Sequence, residues 1–455
     1  MKRIIKNVFC KDEEFYSRFF TIAIPVAIQS FFGAAVNLID NFMVGQLGDA
    51  SVASVGLSNQ FYFILHLIMF ALSSGGAVFL AQYWGNRDIK NMKKIMGISL
   101  ILTFSVAFLF FLAAFIRPDI VLSIFSEDFE VIELGSSYIT IVSFSYIIIP
   151  FSLCYGTASR NTGNIKLPLI ANAIGIALNA VLNYILIFGK LGFPQLGVVG
   201  AGLGTTIARL IEVVILLSVI YFKKHIIAAK PKELFNISLS LLKRFILTSG
   251  GLVIKDTVWV LGVSTYMAIY ARMATEAATA INIVDTIRRL LTVFFHGVSS
   301  ACLIMVGNQI GARLYDKAYL YAKRFLSITF LGSLVISAVT ISSRYLFLLP
   351  YDISEQAHTW AGNVLFILGF VLILDLFNMV CIIGVLRSGG DVNFCLILDV
   401  VCVWVIGFPM AILGAYVLKL PLEAVYAMVM SQEIFKFIMC YRRFKSKKWI
   451  NDLVN

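Results

Sequence analysis

Twelve apolar runs, each about 20 residues or longer, set what this chain can become. Coiled as an α-helix, such a run crosses the roughly 30 Å hydrocarbon core of a bilayer, and it satisfies its own backbone N–H and C=O groups where no water is available. The runs fall at 19–44, 53–82, 94–116, 134–156, 166–188, 197–222, 245–271, 279–306, 321–343, 357–386, 394–417 and 422–441. They are too long for barrel strands and lack the alternation of a barrel wall. With 60% hydrophobic and only 14% charged residues, the composition excludes an ordinary water-soluble domain. The predicted class is an all-α membrane protein with twelve transmembrane helices.

The chain also repeats itself. Ser73, Ser74, Gly85 and Arg87 return as Ser299, Ser300, Gly311 and Arg313, at an offset of 226 (299 minus 73). Arg160, Gly163 and Asn164 are answered by Arg387, Gly390 and Asp391 at an offset of 227 (387 minus 160). Six runs lie in each half. Two homologous six-helix lobes, each too apolar for water, are what a transporter with its substrate path between repeats requires.

The boundary is expected at 223–244, where Lys223, Lys224, Lys230, Pro231, Lys232, Lys243 and Arg244 gather. That linker separates an N-lobe, 1–222, from a C-lobe, 245–455, and its middle, 234–242, is amphipathic enough to lie on the membrane surface. The net charge of +12 follows the membrane rather than a nucleic acid. With both termini in the cytoplasm, and with Lys94, Lys166, Lys323 and Arg324 at inner span ends counted there, 27 of 37 Lys and Arg lie inside, 5 outside and 5 deeper within spans. Asp119, Glu127, Asp128 and Glu130 gather on the opposite side. Seven Cys and four His show no metal-ligand spacing, so neither a disulfide framework nor a zinc site is implied and no cofactor is expected. The Lys-rich N-terminus has no small-residue cleavage site, which makes the first run a retained span.

Within the first span Gln29, Gly33, Asn37 and Asp40 recur at helical spacing and form one polar stripe. Helix packing explains Gln29 and Gly33 as well as function does. Asp40 is different, because an intramembrane carboxylate is costly and marks an ion or proton path. Asn172, Asn179 and Asn183 make a matching face on the fifth span. Counted from the outer ends, Asn183 and Asp40 lie at similar depth, and Thr205 and Thr206 of the sixth span enter near them. One carboxylate, two amide oxygens and a hydroxyl suit a hard cation such as Na+, or a proton; a structural amide network would leave the same pattern. Gln29, Asn37 and Asn172 are candidates for the polar part of a substrate path.

Several stretches carry a family resemblance. Asn37, Leu38, Ile39, Asp40, Val44, Gly45, Leu47 and Gly48 resemble the first helix of the multidrug and toxic compound extrusion (MATE) family. Gln82 and Gly85, Trp259 and Gly262, Val306 to Gly311, and Leu386, Arg387, Gly389, Gly390 and Asp391 agree with it in order. The resemblance implies a V-shaped pair of six-helix lobes in the cytoplasmic membrane of a bacterium, alternating access, and export of drug-like organic molecules, often cationic, driven by inward Na+ or H+. It places Asp40, Asn179, Asn183 and Thr205 at an N-lobe cation site, with Asn183 standing where an acid is usual. The chain is expected to act as a monomer in the bilayer, without a nucleic-acid partner.

In the C-lobe, Asp256 matches a position where the family often has Glu, beside Lys255 where Asn is common. Adjacent helical residues point about 100° apart, so Lys255 is expected to find a partner elsewhere. Asp285, Arg288, Arg289 and Asp375 lie at middle depth and are candidates to complete a buried charge network with it. Arg209 with Glu212, and Glu433 with Lys436, read as local i, i+3 pairs.

Two other functions compete. A lipid-linked saccharide flippase would use Arg288, Arg289, Lys255 and Arg209 against a pyrophosphate. A membrane-embedded prenyltransferase would need paired Asp residues to hold Mg2+ and diphosphate, and the sequence has none, nor HExxH or GxSxG.

Overall fold

The computed structural model describes residues 12–454, with the side chains of 34–38 and 41 outside that description. Asn37 of the polar stripe is among those side chains. The described residues form long helices: α1 Glu13–Gly45, α2 Asp49–Gly85, α3 Ile89–Ile116, α4 Phe129–Asn161, α5 Lys166–Phe188 and α6 Val198–Phe222. They continue as α7 Leu239–Met273, α8 Thr275–Gly311, α9 Tyr315–Ser342, α10 Glu355–Leu386 and α11 Val392–Val417. These eleven are, among the described residues, long and apolar enough to cross a membrane. The twelfth predicted span is helical too, but Ser431 breaks it into Leu422–Met430 and Gln432–Lys445, together α12. This is an all-α, multi-pass membrane protein.

Local chemistry starts and stops these helices. Asp88, Asp128 and Ser354 accept hydrogen bonds from first-turn N–H groups of α3, α4 and α10, which the helix itself cannot satisfy. At the end of α5, Gly189 adopts φ +66, a left-handed conformation that suits a residue without a Cβ. Asp12 caps α1 by accepting from the Phe15 N–H at 3.0 Å.

The chain divides into two compact units. One contains 28–84 and 88–253; its core joins Leu65, Met69, Ile139, Tyr146 and Ile187 from α2, α4 and α5. The other contains 12–27, 85–87 and 254–455. The main division thus falls at 253/254, inside α7, rather than in the linker, and the first turns of α1 pack with the C-terminal half. There Arg324 of α9, 8% exposed, pairs with Asp12, and its guanidinium lies 5.3 Å from the Phe15 ring centroid. That bond and the Phe15 N–H hold the Asp12 carboxyl below its ordinary range.

The linker departs from its expected form. Only Pro231–Phe235 is a separate helix, and 239–242 already belong to α7. Leu234 is buried, with its carbonyl oxygen against Gly97 of α3, where a Cβ would lie 1.9 Å away. Packing on α3, backed by a 3.0 Å Lys93–Glu233 ion pair, replaces the predicted amphipathic surface helix.

Within the C-terminal unit, Val380–Leu386 and Val401–Gly407 are π-helical. Such wide i→i+5 turns shift the phase of a helix and rotate the side chains beyond them. Arg387 comes directly after the first, and Asp399 lies two residues before the second.

Candidate functional site

In the N-terminal unit, α1 and α5 bring Asp40 and Asn183 together. Asn183 Nδ2 donates to Asp40 Oδ1 at 2.8 Å, and Asn179, one turn earlier on α5, donates to Thr205 Oγ1 of α6 at 3.2 Å. Gly204 permits this approach, since a Cβ there would meet Asn183 Oδ1 at 2.2 Å. Asn179 and Asn183 are 6% and 1% exposed, while Asp40 is half-buried. Each amide is left with a buried Oδ1 that has no hydrogen-bond partner. Orphaned buried carbonyl oxygens are costly, and a cation or a protonated carboxyl is what relieves them. The donor set is therefore chemically suited to Na+ or H+. Thr206 makes no hydrogen bond to Asp40, Asn179 or Asn183; its hydroxyl is shared between the Ile141 and Gly202 carbonyls.

A second polar group lies in the same unit. A cavity of about 200 Å³ is lined by Gln29, Asn172, Arg209, Glu212, Ser152 and Arg160, with the Tyr62 and His66 rings and apolar side chains between them. Gln29 and Asn172, both candidates for a substrate path, face this space. Glu212 is more than a local partner of Arg209: it accepts from Arg209 Nη1 at 2.8 Å, Ser152 Oγ at 2.8 Å and Asn172 Nδ2 at 3.3 Å. Gly175 of α5 makes room for it, with Glu212 Cβ 3.2 Å from where a side chain would begin.

In the C-terminal unit the predicted network has other members. Lys255 Nζ lies 2.8 Å from Asp256 Oδ1 and 3.0 Å from Asp399 Oδ2. The two neighbours on α7 do meet, contrary to the divergence expected of adjacent residues, because the long lysine stem curls back. Lys436 reaches Asp399 at 3.3 Å and Glu433 at 3.2 Å, Arg387 reaches Asp256 at 3.3 Å, and Asn378 donates to Glu433. Three cations face three carboxylates, mostly buried. Arg288, Asp375 and Asp285 are not among them: Arg288 pairs with Asp375 at 2.8 Å, and Asp285 with the exposed Arg289 at 2.8 Å, as separate bridges. Middle depth alone does not say which face of a helix a charge occupies.

Sequence reasoning misses Asp399, Arg387 and Lys436 as members of this cluster, and Ser152 and Arg160 at the cavity. The repeat itself holds a signal for most of them, since offsets of 226 and 227 carry Gln29, Arg160, Asn172 and Arg209 onto Lys255, Arg387, Asp399 and Lys436. Offsets of 226 and 227 carry Asp40, Asn179, Asn183 and Thr205 onto Tyr266, Ile406, Met410 and Gln432, a set without a carboxylate.

The sequence pattern of the MatE family matches residues 25–185 and 257–413. The chain belongs to that family. An uncharacterized transporter of Bacillus subtilis, YisQ, is 25% identical over 98% of this chain and 97% of its own length. Probable multidrug resistance proteins NorM of Halalkalibacterium halodurans (26% identical; 86% of this chain, 85% of that one) and Thermotoga maritima (23%; 98% and 96%) are similar. Among solved structures, a mutant of the Vibrio cholerae MATE transporter VcmN superposes with a TM-score of 0.87 at 16% identity, covering 95% of this chain and 97% of that one. A MATE protein in complex with MaL6 gives 0.85 at 21%, covering 95% and 96%. These likenesses show the twelve-helix, two-lobe MATE fold. The chain is thus a MATE-family transporter, not an enzyme.

Proposed function

We propose that this MATE-family chain is a monomeric secondary exporter of amphipathic organic compounds, driven by inward Na+ or H+ that loads at Asp40. The observation that carries the reading is the Asp40–Asn183 bond at 2.8 Å, flanked by the orphaned Oδ1 atoms of Asn179 and Asn183. An amide beside a carboxylate serves two charge states: it donates to the anion through Nδ2, and through Oδ1 it accepts from the acid. Na+ would be held by the Asp40 carboxylate with amide and Thr205 hydroxyl oxygens. In either case the ion neutralises Asp40, which the amide N–H donor only hydrogen-bonds, so loading alters the contact between α1 and α5. The absence of an equivalent carboxylate at Tyr266, Ile406, Met410 and Gln432 supports coupling in the N-terminal unit.

The experiment is export of a fluorescent drug from proteoliposomes with imposed Na+ or pH gradients. Asp40→Asn should abolish gradient-driven transport while reconstituting at normal abundance. Undiminished transport by that variant would remove Asp40 from the coupling step.

The chain sits in the bacterial cytoplasmic membrane with both termini inside on this reading, supported by 27 basic residues against 5. Reporter fusions near Lys230 and at the C-terminus should report the cytoplasm and one near Asp128 the outside; an outside signal at Lys230 reverses the assignment. The flippase alternative relied on cations open to a pyrophosphate. Arg288, Arg289, Lys255 and Arg209 each have a carboxylate within 3.0 Å, so nothing specific favours it.

A further inference from the structure

We propose that the cavity of the N-terminal unit binds a small amphipathic organic carboxylate, whose acid group docks on the Arg160 guanidinium. This rests on the reading of the chain as an exporter and names the charge of its substrate, opposite in sign to the cationic compounds that the resemblance implies.

The charges of the cavity do not balance. Glu212 is taken up by Arg209, Ser152 and Asn172, so that Arg209 and Glu212 neutralise each other. Arg160, at the end of α4, is different. Among the described residues its hydrogen bond is from Nη2 to Thr157 Oγ1 at 3.2 Å, and no carboxylate comes within the 4.0 Å of an ion pair. Its guanidinium folds back over its own helix, with Nη1 3.6 Å from where a Cβ on Gly156 would stand. One guanidinium is thus left at the cavity wall without a protein counter-charge.

The internal repeat shows what has been removed. The 226 offset carries Gln29 to Lys255, and the 227 offset carries Arg160, Asn172 and Arg209 to Arg387, Asp399 and Lys436. All four N-terminal positions line one cavity, and all four C-terminal positions belong to one ion cluster. In the C-terminal unit the charge of Arg387 is met by Asp256 at 3.3 Å, and Asp399 lies between two lysines. In the N-terminal unit Asp399 becomes the neutral Asn172, and the position equivalent to Asp256 is Ser30. The arginine stays, its carboxylate is gone, and a hole takes the place of the cluster. A poorly solvated cation without a partner is costly, and a ligand anion supplies the missing charge.

The class of ligand is set by the same groups. A single uncompensated cation calls for a single negative charge, and the planar guanidinium fork matches a carboxylate with two parallel hydrogen bonds. Ile149, Leu153, Val213 and Leu216 line much of the rest, together with the Tyr62 and His66 rings, and suit an apolar or aromatic body.

The test is isothermal titration of the purified full chain in detergent, with coumarin-3-carboxylate and separately with phenyltrimethylammonium, and no ion gradient. The carboxylate should bind at least roughly ten-fold more tightly than the cation, and Arg160→Gln should weaken it by roughly ten-fold or more. Arg160→Lys, which keeps the charge but not the fork, should fall between and reports on folding of the site. Equal or tighter binding of the cation, or carboxylate binding unchanged in Arg160→Gln, overturns the proposal. Because no gradient is used, carboxylate binding that depends on Arg160 stands even if Asp40→Asn transports normally. Coupled transport without such binding overturns this inference alone.

Discussion

Asn183 of α5 donates to Asp40 of α1 at 2.8 Å across 143 residues of sequence. That one bond makes the carboxylate part of the N-terminal unit rather than an isolated charge in a helix. Asn183→Leu keeps the volume near Gly204 and deletes the donor. Gradient-driven transport in proteoliposomes should fall at least about ten-fold, with a stability loss of about 1.5–3 kcal/mol for a hydrogen bond to a charged group. Full transport by the leucine variant would show that Asp40 works without its neighbour.

Lys255 neutralises Asp256 and Asp399 at 2.8 and 3.0 Å in a cluster of three cations and three carboxylates. Lys255→Met leaves buried negative charge uncompensated, and thermal unfolding in detergent should show a loss of about 3–5 kcal/mol. Adding Asp399→Asn should recover part of it, because the surplus charge is then removed. Strict additivity of the two changes would mean that they do not interact.

Asp12 and Arg324 give a pH dependence with a definite sign. The Asp12 carboxyl is held below its ordinary value of 3.8 by the Arg324 guanidinium and the Phe15 N–H. Folding with a lowered carboxylate pKa adds stability that is complete above 3.8 and is lost as pH falls through the folded value. Asp12→Asn should therefore destabilise the fold at pH 7 by about 1 kcal/mol, read as a lower Tm, and the gap to wild type should close in acid below 3.8. A gap that stays constant with pH would assign the effect to packing.

Gly97 lets the linker dock. Gly97→Ala places a Cβ 1.9 Å from the Leu234 carbonyl oxygen, a backbone atom that cannot rotate away. The Pro231–Phe235 helix should lift from α3 and lose its fixed conformation, and limited trypsin digestion should cut after the already exposed Lys232 several-fold faster than in wild type. An unchanged cleavage rate would show that the linker is held elsewhere.

The spans were legible because the bilayer imposes a local condition: about 20 consecutive apolar residues suffice to identify a helix, whatever it packs against. The duplication was legible for the same reason, since Arg160 and Arg387 stand at matching places in two similar stretches. Depth counted along a helix also placed Asp40 near Asn183, because rise per residue is constant. Face is another matter. Whether Lys255 meets Asp375 or Asp399 depends on the rotation of α7, α10 and α11 about their axes, and the π-helical turns beside Arg387 and Asp399 shift that rotation in a way hydropathy does not record. Glu212 reads as half of a local pair until α4 and α5 supply Ser152 and Asn172 to its carboxylate. Membrane topology and the list of charges are properties of the chain read in one dimension; which charges neutralise each other, and which arginine is left facing a cavity, are settled by helix packing.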